Sequence, residues 1–127
     1  MVTFLLILAT ILAYGLELTL GGLPVCETHG LIPASFTGDL TPIFTSLFLH
    51  DPATVYHLAG NMAALLLFGL VVERDLGSLA LLLVYGLAGL AGGLLYVFVD
   101  PSSTSPLVGA SGAIFGVMGL AGALRPR

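Results

Sequence analysis

Four long apolar stretches dominate this sequence and leave few folds open to it. A helix that crosses a hydrocarbon core of about 30 Å needs about 20 mostly apolar residues. The four stretches have about that length and cover residues 2–20, 55–72, 79–99 and 107–124. Backbone groups inside lipid have to be hydrogen-bonded within the protein, which favours helices over open strands. The sequence therefore predicts an all-α membrane protein, a polytopic transmembrane helix bundle that forms one domain over residues 1–127.

The low charge of the chain agrees with a lipid environment and excludes some partners. Only 8% of its residues are charged, whereas a soluble domain has about 25%. The net charge is −4 and lysine is missing from the sequence, so we expect the lipid bilayer and no nucleic acid as a partner. No Lys or Arg precedes the first apolar stretch. We therefore interpret residues 2–20 as a membrane span, with a cleaved signal peptide as the alternative.

The arginines predict how the bundle is oriented. If four helices alternate in direction, Arg74, Arg125 and Arg127 all lie on the side of the N-terminus. Basic residues mark the cytoplasmic side, so we expect a multi-pass protein of the plasma (inner) membrane with a cytoplasmic N-terminus. The segment 21–54, here called the outer loop, is then external, and its only thiol, Cys26, is expected to react with external reagents. Acidic residues collect on that external side, at Glu27, Asp39, Asp51 and Asp100.

Glycines occur at helix-packing intervals in the last two apolar stretches. Gly89 and Gly93 are four residues apart, and so are Gly112 and Gly116. Small residues at this spacing let helices approach closely in lipid, where no hydrophobic force drives them together. The spacing predicts a tightly packed bundle.

Three polar residues in the predicted spans are candidates for a functional site. His57 and Asn61 are four residues apart and share one helical face, and Ser111 lies among glycines. Taken singly, the pair is equally well explained as a structural contact between helices, and the serine as a packing residue. All three are nonetheless expected at one depth, about 3–9 Å below the outer boundary, with Ser111 about four residues into its helix. A hydroxyl, an imidazole and a carboxamide at one depth suit hydrolysis, which needs oxyanion donors and access for water.

The residues around these three groups resemble one protein family. The run Gly-Ala-Ser-Gly-Ala-Ile-Phe-Gly at 109–116 is similar to the Gly-x-Ser-Gly motif of rhomboid intramembrane serine proteases. His57-Leu-Ala-Gly-Asn61 resembles the His-x-x-x-Asn motif in the second core helix of that family. The likeness extends over residues 45–119, and both motifs lie in the expected order and on the expected spans.

The resemblance implies a rhomboid-like fold and a function. Ser111 would be the nucleophile of an intramembrane serine endopeptidase that cleaves transmembrane segments of other membrane proteins. His57 and Asn61 would form the oxyanion site together with the backbone N–H of Ser111, and neither a metal nor a cofactor is expected. Phe115 would stand where the family places an aromatic ring against the catalytic imidazole. Two glycines would allow close helix contact around the site, at positions Gly109 and Gly112.

The resemblance also indicates what the sequence leaves out. The family has its general base, a histidine, on a sixth core helix, and this sequence ends at Arg127 after its fourth apolar stretch. We therefore expect a rhomboid-like bundle truncated after the fourth helix, with negligible activity by itself because a serine hydroxyl needs an adjacent base. If residues 1–127 do hold a base, His50 is the first candidate.

Two alternatives to a protease remain. One is a catalytically inactive rhomboid-like protein that binds membrane-protein clients, although such a protein has no physical need for all three polar groups at one depth. The other is an unrelated membrane protein such as half a transporter, but transporters bind their substrates near the bilayer midplane. The polar groups here are expected at the outer end.

Overall fold

Six α-helices form within residues 1–124, the part of the chain that the computed structural model describes. The prediction of an all-α bundle is confirmed: within this part, the only β-type pairing is an isolated bridge between Leu31 and Leu107. A short 3-10 turn lies at Pro33–Ser35. The helices are α1 (Val2–Thr19), α2 (Leu23–His29), α3 (Thr41–Ser46), α4 (Val55–Leu76), α5 (Ser78–Val99) and α6 (Ser111–Leu124). Among the described residues, α1, α4 and α5 are long and apolar enough to cross a membrane, and α6 is shorter, with 14 residues.

Helix α4 continues past the predicted end of its span at residue 72. It reaches Leu76, and the connection to α5 is reduced to Gly77, whose φ of 93° lies in the left-handed region that favours glycine. The physical reason is Glu73, the first residue after the predicted span. Its carboxylate accepts hydrogen bonds from the side chains of Thr3 and Ser78, both at 2.7 Å, and this lets a charged residue remain helical and buried.

Helix α6 begins later than predicted, and this corrects the expected position of Ser111. The helix begins at Ser111 itself, so this residue is not four residues into a helix that starts at 107. The backbone of Leu107 is bonded to that of Leu31, with N–O distances of 2.8 and 3.2 Å, and Gly109 N donates to the Ser46 carbonyl at 2.8 Å. Residues 107–110 therefore pair with the outer loop and do not form a helical turn.

Helices α1 and α4 run antiparallel and are joined by buried carboxylates at both ends. At one end, Glu73 of α4 accepts a hydrogen bond from the backbone N–H of Thr3 at 2.9 Å. At the other end, Glu17 of α1 accepts one from the backbone N–H of His50, just before α4, at 3.2 Å. The end of the bundle that carries the N-terminus therefore also carries Arg74, in the last turn of α4. Two further arginines used to predict orientation, Arg125 and Arg127, lie outside the described residues.

One turn of α4 is wound as a π-helix, over Leu65–Gly69. At this turn α1 comes close: a Cβ added to Gly69 would lie 3.1 Å from Thr3 Cγ2. Single π turns inside α-helices are frequent at functional sites. The turn separates the half of α4 that carries His57 and Asn61 from the half that carries Glu73.

The predicted close packing at glycines is confirmed. A Cβ added to Gly116 would collide with Ala88, so α5 and α6 touch at this point with no room for a side chain. Gly89 and Gly93 let the outer loop approach α5 closely. A Cβ added to Gly89 would lie 2.7 Å from Leu47, and one added to Gly93 would lie 2.7 Å from Ile43. The loop segment around α3 is thus packed onto the C-terminal half of α5.

Candidate active site

His57 and Asn61 lie in the first two turns of α4, where their side chains meet a third residue. The carboxamide of Asn61 is within hydrogen-bonding distance of the His50 ring, with 2.9 Å between Nδ2 and Nε2. The rings of His50 and His57 are also in contact, with their centroids 5.0 Å apart and their planes tilted by 53°. The three side chains thus form one polar cluster at the outer-loop end of the bundle.

Gly109 brings the segment before α6 against this cluster. Its φ of 111° requires glycine, and a Cβ at this position would lie 2.6 Å from His57 Cε1 and 3.1 Å from Nε2. The same added atom would lie 3.7 Å from Nδ2 of Asn61. The backbone of Gly109 therefore lies directly against both candidate oxyanion residues, two positions before Ser111.

Ser111 is half-buried at the start of α6, between two cavities. One, of about 200 Å³, is lined by Ser111, Asn61 and Phe115 among others, and brings the serine and the carboxamide to one space. The other, of about 350 Å³, extends from Ser111 over the glycine face of α5 at Gly92 and Gly93. Within residues 1–124 the Ser111 hydroxyl has no hydrogen-bonding partner. Phe115, one turn along α6, is 70% exposed beside the first cavity.

His50 is the site residue that the sequence analysis placed least well, as a loop residue and a fallback base. It is fully buried, and burial together with the neighbouring His57 lowers its pKa from 6.5 to about 4. Its ring is therefore neutral at physiological pH, with Nε2 next to Asn61. The Nδ1 atom is buried and has no hydrogen-bonding partner among the described residues.

The sequence analysis did not identify Glu17 as a residue near the site. It is fully buried near the outer end of α1, and its carboxylate contacts both Cys26 and the backbone of His50. The signal was available, because an acid inside a predicted span is costly and is seldom there without a role.

Cys26 is not the accessible thiol that the sequence analysis expected, and that expectation was wrong. Only 2% of Cys26 is exposed, and its thiol donates a hydrogen bond to Glu17 Oε1 at 2.7 Å. Burial and the adjacent Glu17 carboxylate raise the pKa of Cys26 to about 12. The thiol is therefore neutral and shielded, although it lies in the outer loop.

Among residues 1–124, no group of three or more His, Cys, Asp or Glu side chains is arranged to hold a metal ion. The chemistry of the cluster is that of hydrogen-bond donors beside a hydroxyl.

Comparison with known proteins shows which family this chain resembles. Residues 37–127 match the family model described as Rhomboid domain. The chain is 38% identical over 77 residues to RHOMBOID-like protein 1 of Arabidopsis thaliana, a match that covers 61% of this chain and 19% of that protein. It is 38% identical over 87 residues to Rhomboid-like protease 3 of Toxoplasma gondii, covering 68% and 32%. It is 40% identical over 82 residues to Rhomboid protease GluP of Bacillus subtilis, covering 65% and 15%.

The matches span between 15% and 32% of the length of these three relatives. No solved structure matches the chain at a significant level.

Proposed function

Because the chain belongs to the rhomboid family, we propose that this multi-pass membrane protein is an intramembrane serine endopeptidase. Its substrates are transmembrane segments of other membrane proteins, and Ser111 is its nucleophile. The observation that carries the proposal is the shared cavity of Ser111 and Asn61, with His57 held against Gly109 beside it.

In the proposed reaction, Ser111 Oγ attacks the carbonyl carbon of the scissile peptide bond and gives its proton to a base. The carbonyl oxygen becomes an oxyanion, which accepts hydrogen bonds from Asn61, His57 and the backbone N–H of Ser111. The C–N bond then breaks, the amine leaves with a proton, and water hydrolyses the acyl-enzyme. The start of α6 suits this role, because N–H groups in the first turn of a helix lack intrahelical acceptors and carry partial positive charge.

The general base of the proposed reaction comes from outside residues 1–127. Of the three histidines in the sequence, His29 is exposed in the outer loop and His50 is buried, neutral and engaged with Asn61. His57 is assigned to the oxyanion site. The resemblance to the family implies that the base is a histidine on a later helix, beyond Arg127.

The proposed orientation has the N-terminus and Arg74 in the cytoplasm and the outer loop outside. The start of α6 then opens to the external side. Residues 107–110, which precede α6, are bonded to the outer loop through Leu107–Leu31 and Gly109–Ser46. This pairing supports a nucleophile that lies just below the outer loop, within reach of external water.

Reconstitution with a substrate tests the proposal. The protein, with any residues that follow Arg127 in its gene, is placed in liposomes together with a single-span membrane protein, and the fragments are identified by mass. We expect cleavage that Ser111→Ala reduces to background and that Ser102→Ala, a matched change in an exposed loop, leaves intact. Residues 1–127 alone should leave the substrate uncut.

Two outcomes would contradict the proposal. Cleavage that persists in Ser111→Ala would exclude this nucleophile. Stable binding of the membrane protein without cleavage would favour the alternative of a catalytically inactive rhomboid-like protein that holds its clients.

A further inference from the structure

The contact between His50 and Asn61 has a consequence for the proposed reaction. A carboxamide has two N–H donors, and the short contact at 2.9 Å uses one of them on His50. We propose that His50 is a positioning residue: by holding one N–H of Asn61, it directs the other towards the oxyanion formed at Ser111. This inference rests on the proposed function and adds to it a residue outside the two sequence motifs.

His50 can act as a fixed support because it is itself held from several sides. Its backbone N–H donates to Glu17 Oε2, and the other carboxylate oxygen of Glu17 accepts from Cys26. Its ring packs against that of His57. The support thus runs from α1 through the outer loop to the first turns of α4.

The protonation state of His50 fits the proposed role. An imidazole accepts a hydrogen bond at Nε2 only when that nitrogen carries no proton. Burial in the loop, with His57 adjacent, lowers the pKa of His50 to about 4, so the ring is neutral at physiological pH. Neutral His50 accepts from Asn61 at Nε2 and carries its own proton at Nδ1.

The unpaired Nδ1 atom of His50 argues against a purely structural role for this residue. A buried donor without a hydrogen-bonding partner destabilises the fold, and Nδ1 of His50 has no such partner within residues 1–124. A leucine of similar size would fill the same space without this cost. A fold that keeps a histidine here gains something from Nε2, and the contact that Nε2 makes is with Asn61.

Precise placement of Asn61 matters because oxyanion donors act only from a fixed position. A donor has to be held within about 0.5 Å and 10–20° of its productive geometry. Asn61 is half-buried beside a cavity, and the bond to His50 is the one side-chain hydrogen bond that it makes within residues 1–124. This bond fixes the direction of the carboxamide before the substrate arrives.

The sequence provides a clean spectroscopic test of this bond. Asn61 is the only asparagine in residues 1–127, and these residues include no glutamine. In the wild-type protein in lipid nanodiscs, with any residues that follow Arg127 in its gene, the side-chain NH₂ signals of Asn61 in ¹⁵N-resolved NMR are identified by their loss in Asn61→Asp. His50→Leu removes the acceptor, and His50→Gln restores one near the position of Nε2. His29→Leu removes an exposed loop histidine and serves as the control; asparagine-selective labelling keeps the added glutamine silent.

We expect His50→Leu to speed hydrogen exchange of the Asn61 NH₂ at least about 10-fold, as for loss of one hydrogen bond worth about 1.4 kcal/mol. His50→Gln and His29→Leu should stay near wild type. Unchanged signals and exchange in His50→Leu would overturn the proposal, provided that circular dichroism shows an intact helical fold. This measurement does not depend on any catalytic activity.

Kinetics of the active protein then separate positioning from general stability. Deletion of one oxyanion donor costs about 10²–10³ in kcat, so its loosening in His50→Leu should lower kcat by about 10-fold or more with KM unchanged, and His50→Gln should recover most of it. An equal loss in both variants, or a loss confined to KM, would refute positioning. If the wild-type protein cleaves nothing, the proposed function fails, while the NMR comparison still decides whether His50 holds Asn61.

Discussion

Glu73 and Thr3 are bonded twice, although they lie 70 positions apart: the carboxylate accepts from both the backbone N–H and the hydroxyl of Thr3, at 2.9 and 2.7 Å. The same carboxylate accepts from Val2 N and Ser78 Oγ. One buried side chain of α4 thereby accepts from two backbone N–H groups at the start of α1, which lack intrahelical acceptors, and from the side-chain hydroxyl of Ser78 at the start of α5.

Replacement of Glu73 should therefore destabilise the whole bundle. Glu73→Ala leaves several buried donors without a partner, and hydrogen bonds to charged groups contribute about 1.5–3 kcal/mol each. We expect the free energy of unfolding in mixed detergent micelles to fall by at least about 2 kcal/mol. Glu27→Ala, a change of the same residue type in the exposed outer loop, should stay within about 0.5 kcal/mol. Equal effects of both substitutions would contradict the role of Glu73.

Gly116 should be intolerant of even one methyl group. An added Cβ collides with Ala88 of α5, so Gly116→Ala has to push α5 and α6 apart, at a cost of about 1–3 kcal/mol. Gly119→Ala is the matched control on the same helix, because an added Cβ there meets nothing within 4 Å. Thermal unfolding in detergent should be lowered by the first change and unaltered or raised by the second. Similar melting temperatures would mean that the helices do not approach as closely as described.

Gly109→Ala should impair the candidate site beyond its effect on the backbone. Gly109 and Gly38 both have a positive φ, 111° and 96°, so an alanine is strained at either position. Only at Gly109 would the new methyl group meet His57. We expect Gly109→Ala to slow the labelling of Ser111 by a serine-directed phosphonate in the active protein by about 10-fold or more, which is the scale of a displaced oxyanion donor. Gly38→Ala should leave the labelling rate unchanged; equal slowing by both would assign the effect to strain alone.

Cys26 should resist thiol reagents in the folded protein, on either side of the membrane. Its burial and its raised pKa of about 12 both suppress the reactive thiolate. Topology is therefore better tested with Thr37→Cys, in the exposed part of the outer loop, and Leu76→Cys, at the opposite end. In intact cells an impermeant maleimide should label Thr37→Cys and spare both Leu76→Cys and the wild-type chain. Labelling of Leu76→Cys alone would invert the proposed orientation.

Acid should weaken the fold through His50. Between its ordinary pKa of 6.5 and its lowered pKa of about 4, the unfolded chain binds a proton that the folded chain does not. Stability is therefore fully present above about pH 6.5 and falls as the pH drops towards about 4, by up to about 3 kcal/mol. His50→Gln should remove this part of the slope, leaving what the carboxylates contribute. Unfolding curves at pH 7 and pH 4.5 that differ equally in both proteins would contradict the lowered pKa.

The sequence predicts the helices well where neighbouring residues in the sequence determine their ends. The apolar run at 79–99 differs from α5 by one residue at its start, because Gly77 and Asp100 flank it with residues that end helices. The start of α6 was misplaced because it depends on a backbone pairing between Leu107 and Leu31, which are far apart in the chain. No local pattern encodes such a pairing.

The candidate site likewise contains residues that the sequence could predict and residues that it could not. Ser111, His57 and Asn61 could be found from motifs, since their residue types and spacing lie within single helices. His50, Glu17 and Cys26 could not be joined to them, because their contacts depend on how the outer loop folds back onto α1. The polarity of Glu17 in a span was the one available clue.

The π turn at Leu65–Gly69 affects the directions in which the side chains of α4 point, as well as the length of the helix. Each residue of an α-helix advances the side-chain direction by about 100°, and a π turn resets that phase between the two halves of α4. The outer half then aims His57 and Asn61 at α6 while the inner half aims Glu73 at α1. A π turn, with its i→i+5 hydrogen bond, takes up one residue more than an α turn, so deletion of one residue from 65–69 would return the turn to an ordinary α-helix and leave the directions of the two halves nearly unchanged. Deletion of a residue elsewhere between Asn61 and Glu73 would instead rotate Glu73 by about 100° away from Thr3 whenever His57 and Asn61 stayed in place.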